Sequence, residues 1–185
     1  TISGIYHTET DNNAKGKYNG LFGCIDKNGV VKNLVISKDN HIAGYNYVGT
    51  IASLNMGLIQ NCTNYADVTA ANFAAGGVCG FFVNGTGIVK DCQNFGNVKA
   101  MTYASGICGG SQSGKSVATY SYLIEHCTNK GNLSTTNGVG WHRWLLLGRC
   151  KRLHQLWHYR RYPWHQQVKT IYRWHCGLCK LRCRH

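Results

Sequence analysis

The sequence predicts an all-β chain: a right-handed parallel β-helix, or β-solenoid, over residues 18–140, followed by a largely irregular C-terminal tail. Three observations carry this expectation. A degenerate block recurs at near-constant spacing, its apolar stretches are short and rich in β-branched or small residues, and Asn and Gly cluster between those stretches.

The closing half of the block is the easiest to see. It reads Ile59-Gln60-Asn61-Cys62-Thr63-Asn64-Tyr65-Ala66-Asp67-Val68, then Val89-Lys90-Asp91-Cys92-Gln93-Asn94-Phe95-Gly96-Asn97-Val98, then Ile124-Glu125-His126-Cys127-Thr128-Asn129-Lys130-Gly131-Asn132-Leu133. Each closure follows a small apolar element: Thr50-Ile51-Ala52-Ser53, Gly77-Val78-Cys79-Gly80 or Gly106-Ile107-Cys108-Gly109. A worn first copy runs from Gly20-Leu21-Phe22-Gly23 to Val31-Lys32-Asn33-Leu34. With the shared Cys as ruler (Leu34 in the first copy), successive copies are offset by 28, 30 and 35 residues.

Units of this length read as coils of a stack, with strands from successive coils about 4.8 Å apart. The right hand follows from the crossover rule for parallel strands. Equivalent residues then form ladders: a thiol column of Cys62, Cys92 and Cys127, and an amide column of Asn64, Asn94 and Asn129. An Asn column pairs amide to amide, while Gly, Ala and Cys suit a thin interior. Gly96 and Gly131, placed after an Asn step, are expected to take up positive φ. One Cys per coil at one ladder position reads as a small buried hydrophobe rather than as a disulfide partner, because parallel side chains do not meet.

The Gly-Leu-Phe-Gly and Gly-Gly-Val-Cys-Gly elements with the Asn-Cys-x-Asn-x-Gly-x-Val closure resemble GLUG-type repeats over roughly residues 18–140. Tyr47-Val48-Gly49-Thr50 departs from that pattern, with Thr in place of the second Gly. The resemblance implies a secreted or surface-displayed bacterial protein, with repeats in adhesin-like chains or beside peptidase domains. It transfers no catalytic residues.

Composition separates the tail from the repeats. Residues 1–140 hold 9 Lys, no Arg, 7 acids and no Trp, whereas residues 141–185 hold 11 Lys plus Arg, no acid and all five Trp. The formal charge of +13 therefore divides into +2 and +11. The expected organisation is a lead-in strand or loop over 1–17, a solenoid over 18–140, and a basic, Trp-rich tail over 141–185 that is the same repeat read out of frame. Written with codons CGG-TGG-CAT-TGC-GGG, preceded by a Tyr172 codon ending in T and followed by a C, Arg173-Trp174-His175-Cys176-Gly177 shifts by one base to I-G-G-I-A-G, a repeat opening. Leu153 to His158 can likewise give an Asn-Cys closure, and one extra base before Trp141 suffices. A stack ending near Asn137 would present unpaired strand edges, so association is expected there.

Several motifs suggest sharper chemistry. Gly109-Gly110-Ser111-Gln112-Ser113-Gly114-Lys115-Ser116 fits the phosphate-cradling pattern, in which Gly109, Gly114, Lys115 and Ser116 would serve a nucleotide. The β-prone run after it argues for a long corner instead. Cys176, Cys179, Cys183 and His185 have zinc-compatible spacing. Basic residues interleaved with Trp and Tyr in the tail resemble a nucleic-acid surface. Glycosidic cleavage requires paired carboxylates, yet Asp67 aligns with Asn97 and Asn132, and Asp91 with Asn61 and His126, so each acid stands alone in its ladder. Sequons at Asn61, Asn84 and Asn132 follow from Asn-rich corners.

The resulting expectation is a non-catalytic structural or adhesive module with no cofactor. Its partners would be other domains of a larger parent and a host-surface protein or glycan, with no specific nucleic acid. No apolar run approaches the roughly 20 residues of a membrane helix. The alternatives are nucleic-acid binding through the tail and nucleotide binding at 109–116.

Overall fold

The computed structural model describes residues 1–13, 16–83, 86–111 and 122–136, together with the backbone of Arg149–Lys151 and His154–Gln155. The described residues are all-β, with five sheets of short strands and no helix. Sheet I holds Tyr18–Asn19, Tyr47–Gly49, Ala74–Gly76 and Tyr103–Ser105. Sheet II holds Phe22–Ile25, Ala52–Asn55 and Cys79–Phe82, extended by bridges from Cys79 to Cys108 and from Phe82 to Ser111. Sheet III holds Val30–Lys32, Leu58–Gln60, Ile88–Lys90, Leu123–Glu125 and Arg149–Lys151. Sheet IV holds Val35–Ile36, Thr63–Asn64, Gln93–Asn94, Thr128–Asn129 and His154–Gln155. Sheet V holds Tyr6–His7, His41–Gly44, Asp67–Ala70, Val98–Ala100 and Leu133–Thr135.

The chain visits the sheets in the order I to V and then returns to sheet I. Each copy therefore lays one strand on the equivalent strand of the copy before it, in parallel. In sheet IV the Cα partners run Ile36, Asn64, Asn94, Asn129. In sheet III they run Val31, Ile59, Val89, Ile124. Residues 1–17 join this arrangement: Ile2 bridges Ile36, and Tyr6–His7 pairs with His41–Ile42. Within 141–185, Arg149–Lys151 pairs with Leu123–Glu125 and His154–Gln155 with Thr128–Asn129. At those two places the tail is strand rather than irregular, and its other residues lie outside the described set.

Two apolar columns run along the stack. Ile51, Ile59, Val78, Val89, Ile107, Ile124 and the cysteines Cys62, Cys92 and Cys127 pack between sheets II, III and IV. Ile42, Val48, Val68, Ala75, Val98 and Ala104 pack between sheets V and I. Period-2 alternation aims the central residue of each sheet III strand inward and alternate residues of the sheet V strands, such as Val68 and Ala70, which is why β-branched residues hold inward places in both sheets.

The corners correct one reading of the glycines. Gly96 and Gly131 do not lie at positive φ. Positive φ falls instead on Asn33 (59°), Asn61 (51°), Asp91 (55°) and His126 (51°), one ladder at the corner between sheets III and IV. Asn, Asp and His tolerate the left-handed region better than other side chains, so a glycine is not required there. Gly96 and Gly131 are needed for space. A Cβ on Gly96 would sit inside van der Waals contact with the Ala66 carbonyl oxygen, and one on Gly131 would do the same against Gly96.

A second irregularity lies between sheets V and I. Register assigns two corner residues after Gly44, three after Ala70 and two after Ala100, so the middle corner is one residue longer. The stacked positions of sheet I read Tyr18, Tyr47, Ala74, Tyr103, and Ala74 interrupts the rings. Phe73 from the longer corner bridges the interruption, packing edge-on against Tyr47 at 5.5 Å and Tyr103 at 5.1 Å.

Gly96→Ala should destabilise the fold by about 1–3 kcal/mol, because the new methyl meets backbone that cannot turn away. Gly23→Ala should be close to neutral, since nothing lies within 4 Å of a Cβ built there. Paired thermal or urea melts of the two variants check this difference.

Candidate functional site

The ladders are the most organised groups among the described residues. Asn64, Asn94 and Asn129 are each at most 1% exposed. The Asn64 Nδ2 donates to Asn94 Oδ1 at 2.7 Å, and the Asn94 Nδ2 donates to Asn129 Oδ1 at 2.7 Å. Each Nδ2 also donates to a backbone carbonyl two residues on, at Ala66, Gly96 and Gly131, over 2.8–2.9 Å. The Ala66 N–H returns a bond to Asn64 Oδ1 at 2.9 Å. A buried amide left unmatched is costly, so this matching is what permits an Asn column in the interior. The column reaches the opposite wall, where Gly77 faces Asn94 and Gly106 faces Asn129 so closely that a Cβ at either glycine would collide with the amide.

The thiols stand two residues before each Asn, immediately ahead of the same strands. Cys62, Cys92 and Cys127 are buried, and the six cysteines whose side chains are described are free. Their Sγ atoms donate to the carbonyls of Gln60, Lys90 and Glu125 at 3.2, 3.2 and 3.3 Å. The Cys92 thiol beside Cys62, together with burial, pushes the Cys62 pKa far up. Cys127 and burial push Cys92 up to about 12, with Cys62 pulling the other way. A second, shorter thiol column pairs Cys79 with Cys108 across sheet II. Burial, then Cys108, holds Cys79 well above the usual thiol range. Such thiols stay protonated and unreactive at neutral pH. The second column was visible in the sequence, because Cys79 and Cys108 occupy one place in consecutive small apolar elements.

The exposed ladders contain the acids. Asp67 Oδ1 accepts from the Asn97 N–H at 2.7 Å and from Asn97 Nδ2 at 3.0 Å, and Asn97 in turn serves Asn132. Asp91 lies 3.4 Å from the His126 Nδ1 and accepts from Gln60 Nε2 at 3.2 Å. The structure does not bring Asp67 and Asp91 together: one stands on sheet V and the other at the corner between sheets III and IV. Among the described residues no group of three or more His, Cys, Asp or Glu is placed to hold a metal ion.

In the phosphate-cradle pattern, the Gly109 N–H is committed to the Cys79 carbonyl at 3.1 Å. Downstream, Leu123–Glu125 is a strand of sheet III. Gly114, Lys115 and Ser116 lie outside the described residues, as do Cys176, Cys179, Cys183 and His185 and most of the basic aromatic tail. Comparison with family models, curated proteins and solved structures gives no match for this chain.

Two outcomes are expected. Asn94→Ala removes the acceptor for Asn64 and the donor to Asn129, and should cost about 3 kcal/mol in a denaturant titration. The thiol pKa values set a pH dependence. An unfolded thiol releases its proton near roughly 8.5, while the folded chain holds the protons of Cys62, Cys79 and Cys92. That stabilisation is complete below the unfolded value and is lost as pH rises through and beyond it. Stability should therefore fall above about pH 9, less steeply in Cys92→Ala, and peptide mapping after alkylation at pH 8 should find exposed Cys24 modified ahead of the five buried thiols.

Proposed function

We propose that this chain is a right-handed parallel β-solenoid acting as a non-catalytic structural or adhesive module of a secreted or surface-displayed bacterial protein. The observation that carries the reading is the register: equivalent residues of consecutive copies are hydrogen-bonded partners in all five sheets. A stack in which each copy needs only its neighbours supplies length and a repeated outer surface, which suits spacing and display. The buried polar groups support the same reading. The amides satisfy one another, the Cys62, Cys79 and Cys92 thiols remain protonated, and Asp67 is occupied by its own ladder, so these groups serve cohesion rather than turnover. The resemblance of the repeat closures to GLUG-type repeats supports a surface or secreted setting, with further domains and a host-surface protein or glycan as partners.

Modularity tests the architecture. Deleting residues 64–93 removes one full coil and joins Thr63 to Asn94, which already occupy neighbouring ladder positions. The shortened chain should keep its β signal in circular dichroism and lose about 4.8 Å of length in small-angle scattering. Unfolding on deletion would contradict it. Adhesion is tested with chain-coated beads on glycan and host-cell surfaces. Retention without release of new reducing ends supports the module, and release of reducing ends would replace it with an enzyme.

A further inference from the structure

The side of the stack formed by sheets I and II carries a row of rings that the amide and thiol ladders do not use. Tyr18 and Tyr47 stack at 5.6 Å, Tyr47 lies 4.7 Å from Phe81, and Phe73 stands between Tyr47 and Tyr103 at 5.5 and 5.1 Å. Val48 and Ala104 are buried in the column between sheets V and I, so alternation turns Tyr47 and Tyr103 to the other face of sheet I. Register puts Tyr18, Tyr47 and Tyr103 at equivalent places, and Phe73 keeps the row continuous where Ala74 interrupts it. The row covers three strand spacings, about 14 Å. Tyr18 is 46% exposed, Tyr47, Phe73 and Tyr103 are half-buried, and Phe81 is buried against them.

A polar ladder runs beside the rings. At the corner before sheet I, Asn72 Nδ2 donates to Asn46 Oδ1 at 2.8 Å, and Thr102 Oγ1 donates to the Asn72 carbonyl at 3.0 Å. All three residues are partly exposed. Charge is kept away from this side. Residues 42–66, 68–89 and 100–111 contain no Lys, Arg, Asp, Glu or His. They include every described strand of sheets I and II from Tyr47 onward, and the corners that join sheets V, I and II. Charged side chains stand on other sheets, with Lys32, Lys90 and Glu125 on sheet III and Asp67 and Lys99 on sheet V. Lys17 borders the row at its Tyr18 end.

We infer that this row is a binding strip for an uncharged glycan chain, laid along the stack with its sugar rings over the aromatic ones. The inference rests on the adhesive reading above and names its ligand and its site. A pyranose presents C–H groups on its faces and hydroxyls around its rim. The C–H faces suit the negative faces of aromatic rings. The rim hydroxyls meet the phenolic oxygens and the Asn46, Asn72 and Thr102 ladder, groups that donate as well as accept. The charge pattern selects among partners. A carboxylate, sulfate or phosphate laid along the strip would leave water with no cation to meet it over most of its length, and a charged peptide would be no better matched. An uncharged saccharide carries no such cost.

Isothermal titration of the full chain with cellohexaose, xylohexaose, mannohexaose and chitohexaose tests the inference. The expected result is binding of at least one of these, without displacement by polygalacturonate. Tyr18→Ala/Tyr103→Ala should weaken that binding about tenfold. Tyr65→Ala, a control at an exposed ring between sheets IV and V, should leave it unchanged. Circular dichroism confirms that each variant is folded. On the unmodified chain, amide shifts induced by the bound oligosaccharide should gather at Tyr47, Asn72, Phe73 and Thr102. No affinity for any of the neutral oligosaccharides overturns the proposal, as does affinity that folded Tyr18→Ala/Tyr103→Ala retains in full. The adhesive reading fails separately. Chain-coated beads that hold to host cells and are not released by the neutral oligosaccharides keep that reading and remove this ligand. Beads that hold to no surface, while the oligosaccharide still binds the strip, remove adhesion and keep the ligand.

Discussion

The buried amide column is the constraint around which the described structure is arranged. Asn64, Asn94 and Asn129 lie where the chain leaves sheet IV, and their side chains point across the interior rather than out to water. A polar group in that position is tolerable only if both its donors and its carbonyl are matched, and the matching demands one neighbour in the copy above and another two residues along the same chain. The column therefore fixes register. A slip of one residue would replace an amide by an unrelated side chain and leave several buried groups without partners.

Other residues follow from accommodating that column. Gly77 and Gly106 are small because Asn94 and Asn129 occupy the space a Cβ would need, and Gly96 and Gly131 are small because the carbonyls they stack against are already drawn close. The thiols fill the adjoining interior positions with little volume and a weak donor that each spends on a nearby carbonyl. The interior divides into two apolar columns, and the amides lie against the wall between sheets I and II. A thin stack of parallel strands of this kind gains stability from repetition, since each copy buries the face of its neighbour.

Much of this was legible in the residues. Cys and Asn recur at a common offset, and offsets of whole copies translate directly into ladders when strands are short and parallel. The corner geometry was harder to read. Glycine is the usual mark of positive φ, yet here Asn33, Asn61, Asp91 and His126 take that conformation. The signal was present as a column of Asn, Asp and His immediately before the Leu34 and Cys positions, but single-residue tolerance of the left-handed region leaves only a faint mark. Phe73 was not legible at all. The ruler set by the shared Cys counts whole copies, so a one-residue lengthening of a corner passes unseen until register fixes both flanks.

The most direct test of the stacked arrangement is nuclear magnetic resonance of the asparagine side chains. If the copies lie one on another in this register, the side-chain amide of Asn64 should show cross-peaks to that of Asn94, and Asn94 to Asn129, with exchange far slower than for exposed Asn132. Rapid exchange of all four amides with no cross-peaks between them would contradict the account.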